Sequence, residues 1–253
     1  MNFQQQSSYE AQALIDRCQA AILPIGAVEA HGPHLPLGTD NVLAERLSYK
    51  LAERTDSIVL PTLPYGQVWS LQTFPGSINV SNEALIAMLY DIGESLHRQG
   101  FRIFVMVNGH LGNGVALKEA ARKLYRDYPE LKVFYFFYPG VGQVTARVRE
   151  SSSAHSSYFH ACELETSYML YLAEEQVDMS KALSEAPEIP MEADCTPTPW
   201  ETFTSTAVLG DARLATKEKG EAIVETALAN MERMLMDAKR RLAGGQTPHP
   251  EGE

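Results

Sequence analysis

Residues 101–107, Phe-Arg-Ile-Phe-Val-Met-Val, are apolar at every position but one. A run this short and uniform offers no polar face to water, so it reads as a strand covered on both sides. Residues 20–26, 57–61 and 132–138 share the pattern. Between them lie stretches of helical period. Asp40 stands where it can cap a helix over 41–54, with Val42, Leu43, Leu47 and Leu51 on one face. Ser81 caps another through residue 99, with Leu85, Met88, Leu89, Ile92 and Leu96 inward and Gly100 as its stop. Residues 9–18, 114–128, 160–175 and 217–242 read as further helices. Strands that alternate with helices long enough for crossovers give an α/β fold with a mostly parallel central sheet covered on both faces. One domain over residues 1–243, with a tail over 244–253 expected to be disordered, is the simplest organisation. Residues 184–205, rich in Pro, Thr and acid, form an excursion from that domain, self-packed as a lid or reaching a neighbour's site.

Composition narrows the function classes. The net charge is -11, from 21 Lys+Arg against 32 Asp+Glu. The one basic cluster, Lys239-Arg240-Arg241, suits the C-terminus of a helix, so no nucleic-acid partner is expected. No uncharged apolar stretch reaches the length of a membrane span, and the first eight residues carry no signal-peptide pattern. Cys18, Cys162 and Cys195 are far apart and odd in number, which suggests reduced thiols and a cytoplasmic location.

In parallel α/β sheets, ligands gather at the carboxyl ends of strands. After residues 20–26 comes Glu29-Ala-His31-Gly-Pro-His34, then Gly38-Thr-Asp40. Glu29 and His31 share a face if the segment is extended. Carboxylate, imidazole and carboxylate form a mixed O/N donor set suited to Zn, Mn or Fe(II). His110 sits at the end of the strand over 101–107, inside Asn108-Gly-His-Leu-Gly-Asn113. A third candidate is His160-Ala-Cys-Glu163-Leu-Glu165, at a helix start where acids are also favoured by the dipole. On a helix, His160 and Glu163 are three apart and share a face, while Glu165 points elsewhere.

These three motifs, in this order and spacing, resemble the creatininase (creatinine amidohydrolase) family. Leu209-Gly-Asp211 and Ala215-Thr-Lys-Glu-Lys-Gly220 are similar to its C-terminal region, so the resemblance spans about residues 20–240. It implies a three-layer α/β/α sandwich, two divalent metal ions per chain (Zn, Mn or Fe), a small-molecule substrate and a homo-oligomer, often a hexamer. It implies hydrolysis of a C–N bond in a cyclic amide or formamide by a dinuclear-metal-activated water. Carried over by motif, Glu29 binds one metal, His31 the other, Asp40 bridges them and His110 completes one coordination sphere. Creatininase has a ligand Glu two residues after the His of Asn-Gly-His; that place is Gly112 here. Members with Gly there draw a carboxylate from the His-Ala-x-Glu segment, which points to Glu163 as the fifth ligand. Glu165 is then left to the second shell or to proton transfer. His160, or a water held by Glu163 or Glu165, is expected to protonate the leaving nitrogen, and His34 to orient a ligand or to serve the loop's structure alone. The loop over 66–77 departs from the family pattern, so Trp69 and Ser70, with Leu111, are expected to shape the substrate pocket. The same activated water would serve a C–C bond of a cyclic polyol diketone or a peptide bond. A non-catalytic metal or small-molecule binding protein is the reading from another class. A dinucleotide-binding fold lacks its Gly-x-Gly-x-x-Gly after the first strand.

Overall fold

The computed structural model describes residues 1–155 and 158–244. Among them, α1 (Ser8–Cys18), β1 (Ala20–Ile25), α2 (Thr39–Thr55), β2 (Ile58–Val59), α3 (Asn82–Arg98), β3 (Ile103–Asn108), α4 (Gly114–Asp127) and β4 (Lys132–Phe136) follow in order. Then come α5 (Gly142–Val148), α6 (Glu163–Ala173), β5 (Ser184–Glu185), β6 (Gly210–Asp211) and α7 (Lys217–Ala243). Strands β1 to β4 form one parallel sheet in the order β2-β1-β3-β4, while β5 and β6 pair antiparallel. The tail beyond residue 244 lies outside the described residues.

Strand alternation divides the interior into two cores. Ala20, Ile22, Ile103, Val105 and Val107 face Leu43 and Leu47 of α2, Leu164 and Met169 of α6, and Leu228 and Met231 of α7. Ala21, Leu23, Ile25, Phe104 and Met106 face Ile15 of α1, Leu85 and Leu89 of α3, and Leu117 and Leu124 of α4. The result is the three-layer α/β/α sandwich expected. Lys239, in the last turns of α7, donates its ammonium to the carbonyls of Thr55 and Asp56 at the end of α2, where cations are favoured.

Two elements are shorter than the sequence pattern suggests. Strand β2 was expected over 57–61 and holds only two residues. The carbonyls of Ile22 and Pro24 point toward it, accepting from Leu60 and Leu63. Pro24 has no N–H to return, so the ladder opens there. Helix α6 starts at Glu163, not at residue 160. His160 instead pairs antiparallel with Leu209, Ala161 is left-handed at φ 46, and Cys162 is extended. The loop over 139–159 also contains α5, which has no counterpart in the sequence reading.

The strand order sets the location of the site. From β1 the chain crosses to β2 through α2 in the first core; from neighbouring β3 it crosses to β4 through α4 in the second. Connections that leave adjacent parallel strands in opposite directions open a crevice at their carboxyl ends. Glu29 and His31 follow β1, and His110 follows β3.

Candidate metal centre

Glycine brings the two strand ends together. A Cβ on Gly109 would lie 2.1 Å from the Asp40 carbonyl oxygen, so only glycine lets the end of β3 touch the start of α2. That contact places His110 beside Asp40. The N-cap of α2 is Gly38, so Asp40 lies in the first turn and caps nothing. Its carboxylate faces the crevice instead.

Six side chains converge there. His110 Nδ1 lies 3.0 Å from Glu29 Oε1 and 3.1 Å from Asp40 Oδ2. His31 Nε2 lies 3.3 Å from Asp40 Oδ1, 3.6 Å from Glu165 Oε2 and 3.9 Å from Glu29 Oε1. His160 Nδ1 lies 3.7 Å from Glu29 Oε1 and 3.9 Å from Glu165 Oε2. Donor atoms fall into three groups within metal-binding reach: Glu29/Asp40/His110, His31/Asp40/Glu165 and Glu29/His31/His160. Asp40 belongs to the first two through different oxygens.

Backbone carbonyls fix the tautomer of every ring. His110 Nε2 faces the Gln67 carbonyl at 2.6 Å, His31 Nδ1 that of Glu29 at 3.1 Å, and His160 Nε2 that of Ala30 at 2.7 Å. A carbonyl only accepts, so each of those nitrogens carries the hydrogen, and the opposite nitrogen turns its lone pair to the carboxylates. A lone pair facing a carboxylate oxygen at these distances needs a cation between them. A proton is one answer. Burial pushes the His31 and His110 imidazoles down, but the carboxylates of Asp40 and Glu165, and of Glu29 and Asp40, outweigh it and hold both well above their ordinary value. Likewise burial would raise Asp40, and the charge of His31 and the closeness of the His110 ring hold it below the carboxylate range. The geometry suits a proton poorly. Glu29 Oε1, His31 Nε2 and Asp40 Oδ2 are buried and none makes a hydrogen bond. Metal–ligand bonds of about 2.1 Å at tetrahedral angles set ligand atoms about 3.4 Å apart, close to the spacings here. The donor set and its spacing fit divalent cations.

The chain matches the creatininase family, described as creatinine amidohydrolase, over residues 4–235. It belongs to the creatininase family. Creatinine amidohydrolase of Pseudomonas putida is 28% identical over 230 residues, 86% of this chain and 88% of that protein. A 3-dehydro-scyllo-inosose hydrolase of Thermotoga maritima is 26% identical, covering 98% of this chain and 87% of that one. A mycofactocin precursor peptide peptidase of Mycolicibacterium smegmatis is 29% identical over 80% of this chain and 78% of that one. A crystal structure of creatinine amidohydrolase (creatininase) superposes with a TM-score of 0.84 at 25% identity, covering 98% of both chains. Two further creatininase structures are described as a Zn-Zn type and a Mn form, with TM-scores of 0.84 and 0.80.

Within this creatininase-family chain, the two acids of α6 differ from their expected places. The resemblance pointed to Glu163 as the fifth ligand. Its carboxylate instead accepts from the Lys219 ammonium of α7 at 2.5 Å and from the N–H groups of Glu150 and Ser151 at 3.0 and 2.8 Å. Glu165 enters the cluster and also accepts from the Ala161 N–H at 2.7 Å. The reason is backbone: with His160 outside the helix, the shared face of positions 160 and 163 does not exist. Gly112 admits no side chain, since its Cβ would meet His110 Nε2 at 2.4 Å and the Gln67 carbonyl at 2.5 Å. His34 is buried, with Nε2 2.8 Å from Thr166 Oγ1, and burial followed by the charges of His31 and His160 pushes it down to about 4.

Sequence reasoning missed the supports. Asn113 donates to the Gly26 carbonyl at 2.9 Å and accepts from the Gln67 N–H at 2.9 Å, so it positions the carbonyl that locks His110. Its place in the Asn-Gly-His-Leu-Gly-Asn turn was the available signal. Glu29, His110 and His160 open into a cavity of about 220 Å³. Trp69, Ser70 and Leu111 line it, joined by Trp200 and Thr196 from the excursion, the lid arrangement rather than a reach to a neighbour, though the sequence named no residue of it.

Proposed function

We propose that this chain is a metal-dependent hydrolase that cleaves a C–N bond in a cyclic amide or formamide. Glu29, Asp40 and His110 would hold one divalent cation, and His31, Asp40 and Glu165 a second. The observation that carries this is Asp40: its two oxygens serve two different imidazoles, each locked in the tautomer that can ligate. Bound there, Zn, Mn or Fe supplies an ionised water near neutral pH and a Lewis acid for a carbonyl oxygen. The protein's own part is positioning and proton transfer. Buried carbonyls from Gln67, Glu29 and Ala30 keep the three rings from turning. His160, which lines the cavity, has its Nε2 held by the Ala30 carbonyl, so Nδ1 is the atom that would pass a proton to a leaving nitrogen. Trp69, Ser70 and Leu111 form the wall against which the substrate rests.

Similarity to an inosose hydrolase supports one second reading. Ser70, Thr196 and Thr198 put hydroxyl groups around the cavity, where a cyclic polyol diketone would bind for C–C cleavage by the same water.

The test begins with metal content. Purified protein is expected to carry up to two divalent ions per chain and to lose hydrolysis on treatment with a strong chelator. A panel of lactams, formamides, short peptides and cyclic diketones then identifies the bond. Turnover confined to the diketones would transfer the assignment to the second reading. Full metal occupancy without turnover of any class would leave a binding protein.

A further inference from the structure

The excursion over 184–206 is anchored at its base by one carboxylate. Glu185, on β5, accepts the Thr204 hydroxyl at 2.8 Å, the Thr206 hydroxyl, and the N–H groups of Ser205 and Thr206 at 3.2 Å each. Burial would raise this acid, but the bonds from Thr206 and Thr204 hold it below its ordinary value. Both ends of the excursion are therefore tied at one point, and β5, at its start, pairs with β6 just beyond its end. On its far side Asp194 accepts from the Tyr158 hydroxyl at 2.9 Å and lies 3.3 Å from His155 Nε2. Between these fixed points a tight turn presents Trp200. Its carbonyl accepts from Phe203 and Thr204, and its indole stands edge-on to the His160 ring, with centroids 5.4 Å apart at 80°.

We infer that this excursion is the roof of the chain's own active site, with Trp200 as the residue that sets which substrates enter and Glu185 as the residue that positions it. The inference rests on the hydrolase reading above. Trp200 packs against the one ring proposed to move a proton, so a substrate must fit between the indole and the cations. A cavity of about 220 Å³ corresponds to about seven water volumes at about 30 Å³ each. That space takes a compact ring and excludes an extended peptide. None of its lining residues among those described is Lys or Arg, so away from the proposed cations no cationic side chain there pairs with an anionic substrate group. Both tryptophans of the chain, Trp69 and Trp200, lie on this cavity, from opposite sides of the sequence.

The experiment compares metal-loaded wild type with Trp200→Ala, Glu185→Ala and the conservative Glu185→Gln. The first readout is the rate of zinc release to a bulky chelator, which needs no substrate. Loss of the Glu185 bonds or of the indole should speed release about 10-fold or more, with Glu185→Gln near wild type. The second is turnover of the panel: both alanine variants should raise KM for the compact substrate more than they lower kcat, and should gain short peptides. Wild-type release rates in both alanine variants, with metal content and circular dichroism unchanged, would overturn the inference. If release accelerates while wild type hydrolyses nothing, the roof stands and the hydrolase reading falls.

Discussion

The first turn of α6 has two acidic faces, two residues apart, and they meet opposite surroundings. Glu165 turns toward two imidazoles, His31 and His160, whose lone pairs face it. Glu163 turns toward Lys219, a cation that α7 already supplies, and toward two backbone N–H groups. Both are buried. A buried carboxylate must be compensated, and the two faces show the two ways of doing so: a resident ammonium, or a bound ion. Burial would raise either acid. Lysine lowers Glu163, and His31 lowers Glu165, so each is held below its ordinary value by a different kind of partner. One face is complete as folded, and on the proposed metal reading the other is complete only with a cation bound.

Neutralising each face in turn separates them most sharply. Glu165→Gln is expected to drop bound metal from two ions toward one and to lower kcat at least about 10³-fold, about 4 kcal/mol in the barrier, read by elemental analysis and steady-state kinetics. Glu163→Gln should keep both ions. Its effect should appear in folding, at about 1–3 kcal/mol, because Lys219 loses its buried carboxylate partner and keeps only the exposed carboxylate of Glu150 at 2.6 Å; denaturant melts of the loaded protein measure it. If the two variants exchange phenotypes, Glu163 is the ligand after all.

The outer support of the metal face comes next in size. Asn113→Ala frees the Gln67 segment that holds His110 in its ligating tautomer. Affinity for one ion should fall about 10- to 100-fold while the other is retained, since outer-shell partners of ligating histidines have effects of that order. Competition with a chromophoric chelator resolves the two binding steps. Equal weakening of both would show that the turn supports the whole crevice rather than His110 alone.

How much of this contrast the sequence carried depends on the range of the interaction. The strand runs and the helices at α2, α3 and α4 were readable because an unbroken apolar run and a period of 3.6 are both local signals. Glu29 and His31 were readable for the same reason, as neighbours on one face of an extended segment. The place of Glu163 was not. It turns on Ala161 adopting a left-handed φ without being glycine, and on a lysine 56 residues away. The family resemblance pointed to this segment, and the backbone brings Glu165 rather than Glu163 to the cluster. Trp200 was beyond local reading too, because its contact with His160 exists only once Glu185 has closed the intervening excursion.

The smallest effect tests the α7 face by pH. Glu163 lies below its free value of 4.5 and Lys219 above its free value of 10.5. A depressed carboxylate stabilises fully above its unfolded pKa and loses that contribution as pH falls through the folded one. A raised ammonium stabilises fully below its unfolded pKa and loses its contribution as pH rises through the folded one. The pair should therefore contribute a plateau between about 4.5 and 10.5 and decline on both sides. Lys219→Met removes one partner, and the double variant with Glu163→Gln removes both charges. A cycle over the four proteins should give a coupling of about 1–2 kcal/mol on the plateau that shrinks toward pH 3. Coupling that stays constant into acid would mean the pair is held by packing and backbone N–H bonds. The two faces of α6 would then differ in shape rather than in charge.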